Sequence, residues 1–110
     1  MNHATSRNGD EKYAQLVAQY VSSLPDKLAT LERAMSAGRA GDPSGLAEAR
    51  EIAHRIRGTG GCYGIHDLSE AAAVLDDLLT SMKRGTGGTW AEADSAAELV
   101  RAVITTATKT

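Results

Sequence analysis

Apolar residues recur along this chain at intervals of three and four, and clusters of glycine or proline interrupt the pattern. This period is typical of an amphipathic α-helix, whereas a half-buried strand alternates at every second residue. Alanine, leucine and valine supply most of the apolar positions, with no phenylalanine and one tryptophan, a mixture that favours closely packed helices. Alternating runs of β-branched and aromatic residues are absent from the sequence. We therefore predict an all-α protein.

The interruptions divide the chain into five predicted helices, of which three lie in its first half. The first covers residues 10–23, and Pro25 separates it from a second helix that stops at Gly38. Asp42 followed by Pro43 is typical of an N-cap and a first helical turn, so this pair is predicted to open the third helix.

The last two predicted helices also have clear start and stop signals. The fourth begins near Asp67 and stops at Gly85, and the fifth follows Thr89, which has the spacing of a capping box to a glutamate three residues later. Four of the five helices are long and apolar enough to form an antiparallel four-helix bundle, with the first helix as an additional N-terminal cap. We assign residues 10–110 to one domain and residues 1–9 to a disordered tail.

Charge and cysteine content exclude several classes of protein. Twelve basic and 14 acidic residues give a net charge of only −2, so no nucleic-acid binding surface is indicated. The single cysteine rules out an internal disulfide and fits a reducing compartment. The N-terminus lacks the apolar stretch of a signal peptide, and no apolar run has the length of a membrane span. We expect a cytoplasmic, monomeric protein that binds neither nucleic acid nor membrane.

The third predicted helix carries the most informative polar face. Its apolar stripe consists of Leu46, Ala49, Ala53 and Ile56. Arg50, His54 and Arg57 fall on the opposite side, where residues three and four apart are neighbours. Arg57 can therefore approach a phosphate held by the imidazole, and Gly58 leaves the ring uncovered. This arrangement suits a histidine that another protein's active site must reach.

The segment from residue 53 to residue 68, AHRIRGTGGCYGIHDL, resembles the signature of histidine-containing phosphotransfer (HPt) domains. That signature has a histidine, two variable residues, a lysine or arginine, a glycine, a run of small residues, and then a glycine and an apolar residue before the next helix. The matching residues are His54, Arg57, Gly58, Thr59 to Gly61, Gly64 and Leu68. Leu75 and Asp76 further resemble a leucine and acidic pair common on the family's next helix.

The resemblance implies an intermediate of a two-component phosphorelay. A phosphoryl group would pass from an aspartyl phosphate on a response-regulator receiver domain to His54, and onward to another receiver domain. Arg57 would stabilise the phosphate with its charge, and Gly58 would give the partner access. Asp76 occupies the family position from which a polar side chain approaches the histidine, although a carboxylate is shorter than the side chains more usual there. It is the candidate for orienting the imidazole.

The implied partners are a receiver domain, a hybrid histidine kinase, or both, and Arg50 and Gly61 are the candidate docking residues beside the histidine. The chain itself would have no ATP site and no cofactor, because the receiver domain would supply Mg²⁺ for the transfer. No metal ligand set is predicted either, since Cys62 and His66 lack further partners.

The pentapeptide RGTGG occurs twice, at residues 57–61 and 84–88. Neither copy is a phosphate-binding P-loop, because each lacks the lysine and hydroxyl pair and follows no strand. The first copy is interpreted as a helical docking surface and the second as a linker.

Two other functions remain open at this point. The bundle can be the phosphoacceptor module of a chemotaxis-type histidine kinase, which would receive phosphate from a kinase domain. Alternatively, it can be a helical adaptor that binds a partner through the same face without phosphotransfer, because a fold does not determine a function.

Overall fold

The computed structural model describes the backbone of residues 2–109 and the side chains of residues 9–109. Its four helices are α1 (Asn2–Arg39), α2 (Pro43–Cys62), α3 (His66–Arg84) and α4 (Trp90–Thr108). Helix α1 packs against α2 and α4, and α3 packs against the same two helices, so the four form a closed ring around one core. No strand occurs over the described backbone. The predicted all-α four-helix bundle is confirmed.

The prediction of a separate N-terminal capping helix is wrong, because α1 runs without a break through Pro25. Pro25 is exposed, and the buried residues Tyr20, Leu24 and Leu28 lie on both sides of it along the face that packs on the bundle. Burial of this face offsets the one backbone hydrogen bond that proline removes. The helix begins at Asn2, inside the segment assigned to a tail, while Met1 lies outside the described residues. The domain boundary itself stays a prediction.

Capping interactions set the ends of the other helices as the sequence predicts. The Asp42 side chain accepts a hydrogen bond from the Ser44 N–H at 2.9 Å, and Thr89 accepts one from the Glu92 N–H at 3.1 Å. Helix α3 begins one residue before the predicted Asp67 and ends before Gly85, which adopts a left-handed φ of 72°.

Close contacts position α2 at both of its ends. A Cβ on Gly45 would lie 2.5 Å from the Gly38 nitrogen, so α1 and α2 cross there with their backbones almost touching. At the other end, a Cβ on Gly60 would lie 3.2 Å from the Ser69 nitrogen of α3. Helix α2 continues through its glycines to Cys62, and the first RGTGG copy is helical as predicted.

The core lies between the helices and consists mainly of leucine and alanine, with Tyr20, Met35, Ile56, Val100 and Ile104. Its fully buried large members are Leu24, Leu31, Ile56, Leu68, Leu75, Leu79, Val100 and Ile104. Over the part of the chain that the structure describes, no helix has the length and apolar character required to cross a membrane.

Candidate functional site

A buried carboxylate and an exposed imidazole meet where α2 packs on α3. Nδ1 of His54, on α2, lies 2.9 Å from Oδ2 of Asp76, on α3. The histidine side chain is 60% exposed, whereas the aspartate side chain is only 5% exposed. One edge of the ring is therefore held against the protein while the rest faces solvent. The aspartate reaches the histidine despite its short side chain.

The partner of Nδ1 determines which ring nitrogen carries the proton. An ionised carboxylate can only accept hydrogen bonds, so Nδ1 must donate to Asp76 in the neutral ring. The lone pair then belongs to Nε2, on the other edge of the His54 imidazole. This tautomer leaves the Nε2 lone pair available for nucleophilic attack.

Arg57 lies beside the same carboxylate and also contacts the next residue of α3. Its Nη1 donates to Oδ2 of Asp76 at 3.3 Å and to Oδ1 of Asp77 at 3.2 Å. Asp77 is 75% exposed, so its ion pair with Arg57 is screened by water. A guanidinium has five N–H donors, which leaves further donors available to an anion near the histidine.

Arg50 lies on the opposite side of His54 along α2. Its Nε is 3.6 Å from Oδ1 of Asp76 and donates to Oγ1 of Thr80 at 3.3 Å. Thr80 in turn donates to Oδ1 of Asp76 at 3.3 Å. Asp76 thus has partners on both of its oxygens. Within the described part of the chain, no buried side-chain nitrogen or oxygen lacks a hydrogen-bond partner.

The two predicted access and docking glycines occupy different surroundings. A Cβ on Gly58 would meet nothing within 4 Å, so packing does not require a glycine one turn after His54. A Cβ on Gly61 would lie 3.4 Å from Oγ of Ser69, whose hydroxyl donates to the Arg57 carbonyl at 2.7 Å. The surface beyond His54 is therefore open at Gly58 and closely lined by α3 at Gly61.

A second polar contact fixes the C-terminal part of α2 to α1. The Thr59 hydroxyl donates to the Arg55 carbonyl at 2.7 Å and accepts from the Tyr20 hydroxyl at 2.7 Å. The Tyr20 ring stacks on Tyr63 at a centroid distance of 4.8 Å. Burial raises the pKa of Tyr20, although the Thr59 hydrogen bond acts in the opposite direction. These contacts hold the backbone that carries Arg57 and Gly58.

All the predicted site residues lie on α2 or α3, and the structure brings His54, Arg57, Arg50 and Asp76 into one cluster. Sequence reasoning did not identify Asp77 or Thr80. Their only signal is spacing: Asp77 follows Asp76 directly, and Thr80 lies one helical turn later. Among residues 9–109, no three or more His, Cys, Asp and Glu side chains form a group that could hold a metal ion.

The structure is thus a four-helix bundle with a surface histidine that is held at Nδ1 by a buried carboxylate and flanked by two arginines. The sequence model of the Hpt domain family matches residues 15–107. The chain therefore belongs to the Hpt domain family, whose members are histidine phosphotransfer modules of two-component phosphorelays and have no ATP site of their own. Searches of curated proteins and of solved structures gave no match.

Proposed function

We propose that His54 accepts a phosphoryl group from the aspartyl phosphate of a response-regulator receiver domain and passes it to another receiver domain. The observation that carries this proposal is the 2.9 Å contact between His54 Nδ1 and Asp76, which leaves Nε2 free on an exposed ring. The protein acts as a monomeric carrier, and its cytoplasmic partners are receiver domains, whether free or within hybrid histidine kinases.

The proposed transfer needs only a nucleophile and charge stabilisation from this chain. The Nε2 lone pair of His54 forms a bond to phosphorus as the bond to the receiver's aspartyl oxygen breaks, and that electron pair returns to the receiver's carboxylate. The phosphorylated ring keeps its proton on Nδ1 and carries a positive charge, which the Asp76 carboxylate stabilises. Phosphoryl transfer depends mainly on positioning and electrostatics, so Mg²⁺ bound by the receiver completes the site.

Arg57 lies three residues after the proposed phosphoryl acceptor, on the same face of α2. A guanidinium can bind two phosphate oxygens at once, and Arg57 is only partly occupied by its two carboxylate partners. We assign it to stabilising the phosphoryl group on His54.

The receiver is proposed to dock on the surface formed by Arg50, His54, Gly58 and Gly61. Gly58 lies one turn from His54, and no packing contact explains its missing side chain. A glycine inside a helix costs about 1 kcal/mol relative to alanine. Access for the receiver's aspartyl phosphate accounts for that cost.

The test is transfer from a phosphorylated receiver domain, followed by intact-mass detection of the added group and of its acid lability. We expect transfer to the wild type and to His66→Gln, which alters the exposed histidine at the start of α3, and no transfer to His54→Gln. Acceptance by a folded His54→Gln variant would overturn the assignment of His54. Phosphorylation by ATP plus a chemotaxis-type kinase, with every receiver inactive, would indicate a kinase module, and failure of both donors would indicate an adaptor.

A further inference from the structure

The carboxylate of Asp76 is held at both oxygens by different sets of groups. Oδ2 contacts His54 and Arg57, whereas Oδ1 contacts Thr80 at 3.3 Å and Arg50 at 3.6 Å. An aspartate carboxylate otherwise rotates over a broad range about its terminal torsion. Contacts on Oδ1 therefore determine where Oδ2 points, and with it the direction in which the His54 ring is held.

Thr80 makes an unusual hydrogen bond for a threonine inside a helix. Thr30, Thr59 and Thr106 each donate to the backbone carbonyl four residues earlier. That bond is the common one for a helical hydroxyl. Thr80 instead donates to the side chain of Asp76, four residues earlier, and accepts from Arg50. Its hydroxyl thus links the carboxylate to the guanidinium.

Arg50 contributes charge as well as a hydrogen bond. Its side chain is 35% exposed, so the guanidinium reaches the buried carboxylate from the edge of the site. A buried carboxylate without a cationic partner is strongly unfavourable. Arg50 therefore compensates the charge of the buried Asp76 carboxylate, whose other oxygen accepts from Nδ1 of His54.

We infer that Arg50 and Thr80 are positioning residues, which act through Oδ1 of Asp76 to hold His54 as the Nδ1–H tautomer with Nε2 available to the phosphoryl group. This inference deepens the proposed function and rests on it for its effect on transfer. The tautomer itself can be measured without any receiver, and so the two ideas can fail separately.

The experiment combines histidine ¹⁵N NMR with single-turnover transfer from a phosphorylated receiver. In the wild type, the His54 Nδ1 signal should be that of a protonated nitrogen and the Nε2 signal that of a nitrogen with a lone pair. Thr80→Val keeps the side-chain shape and removes the hydroxyl, whereas Thr80→Ser keeps the hydroxyl. Arg50→Met removes the charge, and Arg55→Met is its control, because exposed Arg55 pairs with Glu51 and not with Asp76.

We expect Thr80→Val and Arg50→Met to raise the population of the Nε2–H tautomer and to slow transfer about tenfold, by analogy with the loss when groups that orient metal-binding histidines are substituted. Thr80→Ser and Arg55→Met should match the wild type in both measurements. The tautomer signals are recorded only on variants whose circular dichroism and melting show a folded bundle. If Thr80→Val does not fold, Arg50→Met against its Arg55→Met control still tests the contacts on Oδ1 of Asp76.

Two outcomes distinguish the positioning role of Arg50 and Thr80 from the proposed phosphotransfer function. Unchanged tautomer populations in folded Thr80→Val and Arg50→Met would overturn the positioning role, even if the wild type accepts phosphate on His54. A tautomer shift in these variants would support positioning, even if no receiver transfers a phosphoryl group to the wild type, in which case the proposed function would be wrong.

Discussion

Nδ1 of His54 and Oδ2 of Asp76 lie 2.9 Å apart although 22 residues separate them in the chain. The antiparallel packing of α2 on α3 creates this contact, because each residue lies near the middle of its helix. The bundle therefore does more than display a histidine. It selects the ring nitrogen that stays protonated and leaves the other nitrogen on the exposed edge of the ring.

Asp76→Asn tests the charge in this contact while nearly conserving shape. An amide can present either an oxygen or an N–H₂ group to Nδ1, so the Nδ1–H tautomer is no longer enforced. The amide also gives no charge stabilisation to the phosphorylated ring. We expect initial transfer rates to fall by at least about tenfold, by analogy with the loss seen when a histidine-orienting carboxylate is neutralised. The partly exposed Arg50 and Arg57 can be hydrated in the variant, so the bundle should stay folded by circular dichroism.

Asn substitution should also lower the equilibrium yield of phosphohistidine, since the product ring is the charged one. A variant that folds normally and accepts phosphate at the wild-type rate and yield would show that Asp76 has only a structural role.

Asp77→Asn tests whether the Asp77 carboxylate competes with the phosphoryl group for Arg57. The Asp77 carboxylate lies 3.2 Å from Nη1 of Arg57 and would repel an incoming phosphoryl group. Exposed ion pairs contribute less than about 1 kcal/mol, so we expect a rise in transfer rate of at most about fivefold. The gain should shrink as salt is added, because these charges are exposed. Glu98→Gln, which removes one negative charge from an exposed position on α4, is the matched control.

A double-mutant cycle with Arg57→Ala identifies the route of this effect. If Asp77 acts through Arg57, its substitution should change nothing in the Arg57→Ala background. An equal rate increase in both backgrounds would instead indicate direct repulsion of the phosphoryl group and would refute competition for the arginine.

Local signals in the sequence account for most of the fold. Asp42 and Thr89 are capping residues whose hydrogen bonds involve neighbours two or three positions away, so their identity and spacing predict helix starts. Pro25 misleads for the opposite reason: its local preference is overridden by burial of Leu24 and Leu28 against other helices. Analysis of the local sequence does not include the packing energy of contacts with distant helices.

In the candidate site, too, local sequence predicts some residues, whereas others depend on packing between helices. His54, Arg57 and Gly58 share one face of α2, so helical periodicity places them together. The partners of Asp76 on α2 depend on the register between α2 and α3, which close packing at Gly60 and Ser69 determines. Thr80 enters the site only through that register.

Substitutions of Gly58 separate access from stability. A Cβ at this position meets no atom within 4 Å, so Gly58→Ala should stabilise the bundle by about 0.5–1 kcal/mol through helix propensity. Gly58→Gln should keep that stability but block the approach of the receiver, with a larger loss of transfer than Gly58→Ala. Urea denaturation and single-turnover transfer measure the two effects.

Gly45→Ala is the stability control for these variants. Its Cβ would lie 2.5 Å from the Gly38 nitrogen, and the required backbone shift should cost about 1–3 kcal/mol. If Gly58→Gln transfers as fast as the wild type, access does not explain the glycine.

The N-cap of α2 should give the bundle a specific pH dependence. Hydrogen bonds from the side chain and then the backbone N–H of Ser44 lower the pKa of Asp42 below its usual 3.8. A carboxyl group with a lowered pKa in the folded state stabilises the protein above the unfolded-state pKa, and the contribution is lost as pH falls through the folded-state pKa. In Asp42→Asn the amide oxygen can still accept from Ser44, but the side chain does not titrate. Asp42→Ala has no side-chain cap.

Urea midpoints measured from neutral pH down to about pH 2 separate these cases, because titration of the other carboxylates cancels between variants. The difference between the wild type and Asp42→Ala should be largest at neutral pH and should shrink below the usual aspartate pKa of 3.8. The difference between Asp42→Asn and Asp42→Ala should stay constant over the same range. If the wild-type difference is also constant with pH, the Asp42 cap does not depend on its charge, and α2 is held in place by its packing at Gly45 and Gly60.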